Sequence, residues 1–437
     1  MTNVHRIGLA RDLYLRGQTG KPIRIGLIGC GEMGTDILSQ VAHMHGVDVV
    51  AVADSRTGRV SKAAEMATGN ADRVKEAGSA AALMAAIESG HIGATADASL
   101  VAQNPLIDVL IDATGRPGVG AEIGLMAMQH GKHLVMMNVE ADVTIGAYLK
   151  HEADRLGVVY SLGAGDEPSA CMELIEFVSA LGHTIVSAGK GKNNPLNYDA
   201  TPDMYEEEAR RRNMNPRMLV EFVDGSKTMV EMTAIANATG LIPDVPGMHG
   251  PSATKEQLSK ILVPKEDGGV LSRKGVVDFS IGKGVAPGVF VVAEMRHPRI
   301  RERMEDLKMG EGPYFTFHRP YHLTSLEVPL TCARAVLYGK ADMVPLPVPV
   351  ADVCALAKRD LMPGEKFDSI GEYMYRSHIM TRGDAKAASA VPCGLIDGGK
   401  VTAPVRKGEL ITYANAAPDA SSKIVELRRR QDEMLAD

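Results

Sequence analysis

Six residues, Gly29-Cys-Gly31-Glu-Met-Gly34, have the GxGxxG spacing, and Asp54 follows 20 residues after Gly34. In a strand–turn–helix unit this spacing builds a dinucleotide cradle. The first glycine permits a tight turn, the second lets backbone N–H groups approach a pyrophosphate, and the third allows close helix–strand packing, while the helix N-terminus faces the phosphates. Glu32 and Met33 lie inside the same turn. Asp54 would accept the adenine ribose hydroxyls, which favours NAD; Arg56, two residues on, could clamp a 2′-phosphate, which favours NADP. Asp112-Ala-Thr114-Gly115 ends a later apolar run, and its small residues would leave room for a nicotinamide ring.

A second set of reactive types follows. Asp166 and Glu167 are adjacent carboxylates after the apolar run that ends at Leu162. Oxygen ligands of this kind suit Mg²⁺ or Mn²⁺, and the same pair could instead cap the helix that follows. Lys190 and Lys192 stand in Gly189-Lys-Gly-Lys-Asn-Asn194, read as a loop after a strand, where two ammonium groups could meet a phosphate or an enediolate. Lys227 and Glu231 are four apart. They share a helix face, either as an exposed ion pair or as a proton-transfer or metal-ligand pair. His249, His318 and His322 occur in segments rich in Pro or aromatic residues, and the stretch Tyr314–His322 could close over an anionic substrate.

The elements that must position these groups are legible as patterns. Apolar runs at Ile23–Ile28, Val47–Ala53, Leu106–Ile111, His133–Met137 and Val158–Leu162 alternate with helical patterns at Thr35–His45 and Val119–His130. Strands alternating with helices predict a parallel α/β sheet covered on both faces. Three domains are expected: a dinucleotide-binding Rossmann domain over 1–163, an α+β substrate domain over 164–342, and a small β-rich domain over 350–437. A helix over 324–339 is expected to pack back on the first domain. In the middle domain the patterns predict a helix over Ser169–Leu181, a strand over Thr184–Ala188 and a helix over Thr228–Ala238. Three prolines between Met343 and Val350 suit an extended connector.

The 437 residues carry 48 Lys and Arg against 54 Asp and Glu, a formal charge of −6. That balance offers no bulk attraction to nucleic acid or to an anionic membrane. No apolar run approaches the roughly 20 residues of a membrane helix. Five Cys (30, 171, 332, 354 and 393) are scattered without a CxxC pair, which argues against a disulfide framework or a structural zinc site. A reduced, cytoplasmic chain is expected, with a homodimer as the default assembly.

Asn138-Val-Glu140, with Asp166-Glu167 after the next strand, resembles the paired segments of 1-deoxy-D-xylulose 5-phosphate reductoisomerases, which have Asn-Lys-Glu and then a metal-holding Asp-Ser-Glu; here the second segment reads Gly-Asp-Glu-Pro. The chain as a whole resembles the homoserine-dehydrogenase-like oxidoreductases, in their reductoisomerase-like (DXR-like) branch. The segments that carry this are Gly191–Pro195, Asp224–Glu231 and Pro243–Pro251, and residues 359–410 are similar to SAF domains. The resemblance implies NADPH-dependent conversion of 1-deoxy-D-xylulose 5-phosphate to 2-C-methyl-D-erythritol 4-phosphate, a step of isoprenoid precursor synthesis. It implies Asp166, Glu167 and Glu231 on a divalent cation, Asn138 and Glu140 beside the cofactor, and Lys190, Lys192, Lys227, Glu231 and His322 at a small phosphorylated substrate. Two alternatives stay open: reduction of a small hydroxy-aldehyde with a Lys as proton donor, and a non-catalytic NAD(P)-sensing protein.

Overall fold

The computed structural model describes residues 6–436, and the chain divides into two compact units. One runs up to Asp166 and includes Leu323–Val344; the other takes Glu167–His322 and the residues from Pro345 onward.

The first unit is built on seven strands: β1 (Ile23–Ile28), β2 (Val47–Ala53), β3 (Val74–Glu76), β4 (Ile92–Thr95), β5 (Val109–Asp112), β6 (His133–Met136) and β7 (Tyr160–Leu162). They pair in parallel in the order β3-β4-β2-β1-β5-β6-β7. The strand order therefore reverses between β1 and β5, and the loops after their carboxyl ends line the crevice where such sheets take ligands. Ile23, Ile25 and Leu27 of β1 and Ile111 of β5 are fully buried, in one core with Val328, Cys332 and Ala333 of the helix Val328–Tyr338. That late helix thus belongs to the first unit. Strands β3 and β4 are not among the apolar runs of the sequence: β3 is Val-Lys-Glu and largely exposed, and β4 is the short Ile-Gly-Ala-Thr.

The second unit holds a five-stranded sheet of β8 (Thr184–Gly191), β9 (Ile242–Pro243), β10 (Val276–Ser280), β11 (Val289–Glu294) and β12 (Tyr314–Arg319), ordered β12-β11-β8-β10-β9. β8 runs parallel to β10 and antiparallel to β11. The helix Glu167–Ala180 packs on β8 and β11, and the helix Ser226–Thr239 packs on it and on β10.

The expected boundary at 350 is not where the structure divides, because residues 345–437 join this second unit. Asn237 explains part of it: its side-chain oxygen accepts the N–H groups of Val350 and Ala351, both at 2.9 Å. Ser377 N–H donates to the Ser226 hydroxyl at 2.9 Å, and Lys358 forms an ion pair with buried Asp224 at 2.6 Å. The segment itself pairs β13 (Ala351–Ala357) with β14 (Tyr375–Thr381), adds the short pair β15 (Lys400–Val401) and β16 (Ala416–Ala417), and ends in the helix Lys423–Met434. Among the described residues no helix is long and apolar enough to cross a membrane.

Candidate active site

The glycine turn follows β1 and opens the helix Glu32–Val41. Its three glycines meet three different surroundings. Gly29 has φ +96°, and a Cβ on it would lie 2.7 Å from the Ala113 carbonyl oxygen. A Cβ on Gly34 would lie 2.2 Å from the Gly29 carbonyl oxygen, whereas one on Gly31 would meet nothing within 4 Å. Two glycines are therefore required by the protein's own packing, and the middle one leaves open space above a helix N-terminus that has no side-chain cap. That is the cradle a pyrophosphate needs. Glu32 is exposed and Met33 half-buried at the same helix start.

Asp54 shapes the turn. Its two carboxylate oxygens accept the N–H groups of Cys30 at 2.9 Å and Arg56 at 2.8 Å. The Arg56 side chain is exposed beside it. On the β5 side Thr114 N–H donates to Asp112 at 3.0 Å, and Gly115 has φ +59°. Asn138 is 1% exposed; its amide donates to Asp112 at 3.3 Å and its oxygen caps the next helix at Ala141 N–H. Both its polar atoms are thus engaged within the protein, beneath the crevice. Glu140 is half-buried in the first turn of the helix that Asn138 caps.

In the second unit the reactive groups converge on Lys190. The sequence reading places it in a loop, but Gly189, Lys190 and Gly191 are the end of β8. The glycines are there for close approach: a Cβ on Gly189 would lie 1.6 Å from the Asp278 carbonyl oxygen, and one on Gly191 would lie 2.3 Å from Ala286 N. Lys190, 4% exposed, donates to Glu167 at 2.7 Å and to Glu231. Glu167 comes from the first turn of its helix and Glu231 from the second turn of the helix Ser226–Thr239. His322 Nε2 lies 3.5 Å from Glu167.

Burial opposes the charge of Lys190, but Glu167 and Glu231 outweigh it and hold the ammonium well above its ordinary pKa. Burial, aided by the charge of Glu167, pushes Glu231 up to about 7 against the pull of Lys190 and Lys227. Glu231 Oε1 is buried, with no hydrogen-bond partner among the described residues. Lys192 donates to the carbonyls of Asn194 at 2.6 Å and Phe222 at 2.7 Å; burial and the Lys190 charge lower it to about 8.

Of the ligands expected for a divalent cation, Asp166 and Glu167 gather with His322, their ligand atoms within 4.8 Å of one another, a set that could hold a metal ion, whereas Glu231 is not part of it. Glu167 and Glu231 do converge on one point, but that point is held by the Lys190 ammonium, and a second cation there would face a buried like charge. Asp166, the third expected ligand, precedes Glu167 as the last residue of the other unit. His249 and His318 stand elsewhere: His249 bonds Asp244 at 2.7 Å and His318 bonds the Val285 carbonyl at 3.0 Å.

Residues 29–161 match the model of the homoserine dehydrogenase NAD-binding domain, and residues 165–328 match that of the oxidoreductase DRL catalytic domain. The chain is an NAD(P)-dependent oxidoreductase. The two matches cover the two halves that the geometry singles out, the glycine cradle and the lysine cluster. No curated protein matches the chain. Among solved structures, the oxidoreductase is similar to a probable dehydrogenase from Thermotoga maritima, at 16% identity and a TM-score of 0.36, over 62% of this chain and 72% of that one. It is also similar to scyllo-inositol dehydrogenase from Lactobacillus casei, solved with NAD(H) and scyllo-inositol, at 14% identity and 0.36, over 62% and 74%. A DOX-P reductoisomerase solved with magnesium gives 15% identity and 0.34, over 48% and 56%.

Sequence reasoning missed the partners that lie far away in the chain. Asp224, which pairs with Lys358, is 0% exposed, and its charge acts on Lys192. No local signal marks either residue, since they are 134 positions apart.

Proposed function

We propose that this oxidoreductase reduces the carbonyl of a small hydroxycarbonyl compound, with Lys190 as the proton donor. The observation that supports it most directly is the buried ammonium held between Glu167 and Glu231. The bound dinucleotide supplies the hydride. As negative charge develops on the carbonyl oxygen, Lys190 stabilises it and gives up a proton. Glu231 then recharges Lys190: with a pKa of about 7 it holds a transferable proton near neutrality, and Oε1, which has no hydrogen-bond partner among the described residues, is the oxygen that takes a fresh one. His322 orients Glu167 at Oε1, the same oxygen that Lys190 meets, and Lys192 with Lys227 adds positive charge for an anionic substrate. Arg56 beside Asp54 makes NADPH the preferred dinucleotide.

The sign of the pH dependence follows. Reduction consumes the proton stored on Glu231, so its kcat is expected to fall as pH rises through about 7, and the reverse oxidation to rise over the same range. Glu231→Gln holds no transferable proton and is expected to lower kcat and flatten that limb. A limb that survives the substitution would rule out Glu231 as the store.

Cofactor choice has its own check. Arg56→Ala is expected to weaken NADPH about tenfold, as for a lost charge-assisted contact, and to leave NADH nearly unchanged. Equal losses by calorimetry would remove the NADP preference.

A second reading is favoured by the same orphaned Glu231 Oε1. A base of pKa about 7 could take the hydroxyl proton that starts a skeletal rearrangement, as conversion of 1-deoxy-D-xylulose 5-phosphate to 2-C-methyl-D-erythritol 4-phosphate requires. NADPH oxidation across phosphorylated and unphosphorylated hydroxycarbonyls, with and without EDTA, separates the two. Simple reduction that is indifferent to EDTA is the expected result; a rearranged product that requires a restored divalent cation would establish the second reading.

A further inference from the structure

The buried cations of the second unit have visible partners. Lys190 has two carboxylates, Lys358 has Asp224, and Arg428 forms a fork with Asp352 at 2.9 and 3.2 Å. Arg376 differs. It stands on β14 between buried Tyr375 and Ser377, and its guanidinium carbon lies 4.0 Å from the centre of the Tyr198 ring. Among the described residues that stacking is the one close side-chain contact of the guanidinium, whose N–H donors, half-buried, make no hydrogen bond or ion pair.

The acids within reach are already engaged: Asp224 by Lys358 and by Ser226 N–H, Asp199 by Lys407 at 2.9 Å. Burial lowers the Arg376 pKa against the pull of Tyr198, Asp224 and Asp199. His378 lies two residues along the same strand face, and burial, with the Arg376 charge, pushes its imidazole down to about 4. A desolvated cation with free donors is costly unless an anion meets it. Lys192 donates to the Phe222 carbonyl at 2.7 Å, Ser377 N–H donates to the Ser226 hydroxyl at 2.9 Å, and a Cβ on Gly225 would lie 4.0 Å from the Tyr198 ring, so Arg376 and Lys192 flank the same turn, residues 222–226.

We infer that Arg376, braced by Tyr198, is the oxyanion subsite of the substrate, and that its planar fork takes the phosphate of a phosphorylated hydroxycarbonyl through paired N–H···O bonds. This deepens the carbonyl-reduction reading and rests on it for the word substrate. The residue that reads the phosphate then comes from the C-terminal segment, so that segment takes part in recognition.

The test uses the full chain saturated with NADPH, which fills the glycine cradle, and inorganic phosphate as the probe, followed by calorimetry. Wild type is expected to bind phosphate saturably and more tightly than acetate, and Arg376→Met to lose about tenfold or more with dinucleotide affinity unchanged. Arg376→Lys keeps the charge without the fork and is expected to fall between. Should Arg376→Met fail to melt cooperatively, Tyr198→Leu, at a residue 43% exposed, carries the test by releasing the guanidinium, with a severalfold loss expected. Unchanged phosphate affinity in the folded variant, or no binding by wild type, overturns the subsite; acetate binding as tight as phosphate overturns the phosphate assignment. Lost phosphate binding in Arg376→Met beside full turnover in Lys190→Met would keep the subsite and overturn the carbonyl-reduction reading instead.

Discussion

Lys190→Met is expected to reduce turnover by about 10²–10⁴-fold, the usual worth of a positioned proton donor, with NADPH affinity unchanged because the glycine turn belongs to the other unit. The substitution removes the one cation that Glu167 and Glu231 share. Two carboxylates left facing each other cannot both stay ionised, so Glu231, already raised to about 7, would move further up. The variant is therefore expected to stay folded at neutral pH and to lose stability as pH rises, where holding Glu231 neutral becomes progressively harder. Circular dichroism melts at several pH values, measured beside kcat, check both halves. Wild-type turnover with a lowered melting temperature would make the cluster purely structural.

The second large effect separates two glycines of one motif. Gly31→Val adds a side chain where the structure has open space. It is expected to melt as wild type does and to bind the dinucleotide at least about 100-fold more weakly, because the side chain fills the pyrophosphate cradle. Gly34→Ala places a Cβ against the Gly29 carbonyl and is expected to cost about 1–3 kcal/mol of stability, as overpacking does. Fluorescence titration with NADPH and thermal melts on both proteins give the comparison. Equal destabilisation by the two would mean that Gly31 serves packing as well.

What the sequence shows and what it hides divide along physical lines. The glycine turn and Asp54 are legible because strand, turn and helix start are local, and turn chemistry at fixed offsets reports them. The apolar runs at Ile23–Ile28 and Val47–Ala53 coincide with β1 and β2, since strands in a covered parallel sheet read as continuous apolar segments. Lys190 is misplaced for an instructive reason. Glycine on both sides looks like a loop, but glycine inside a strand also marks a backbone neighbour too near for a Cβ, which is the case at Gly189 and Gly191. The pairing of Lys190 with Glu231, of Lys358 with Asp224 and the stacking of Arg376 on Tyr198 join positions 41, 134 and 178 residues apart. No period or spacing encodes such contacts, and they are what turns a list of plausible residues into a cluster with chemistry. The expected metal ligands show both sides: Asp166 and Glu167 are neighbours in the chain and do gather, with the distant His322, while Glu231 meets the protein's own ammonium.

Chemical rescue of Lys190→Ala tests the central claim most directly. The truncation leaves a small polar cavity between Glu167 and Glu231, and methylammonium has the size and charge to enter it. On the hydroxycarbonyl that wild type reduces fastest, added methylammonium and ethylammonium are predicted to restore NADPH oxidation saturably. Tetramethylammonium, which carries the charge without an N–H, is predicted to restore none. Equal recovery with tetramethylammonium would show that charge alone suffices, and no recovery with any amine in a folded, NADPH-binding variant would contradict Lys190 as the proton donor.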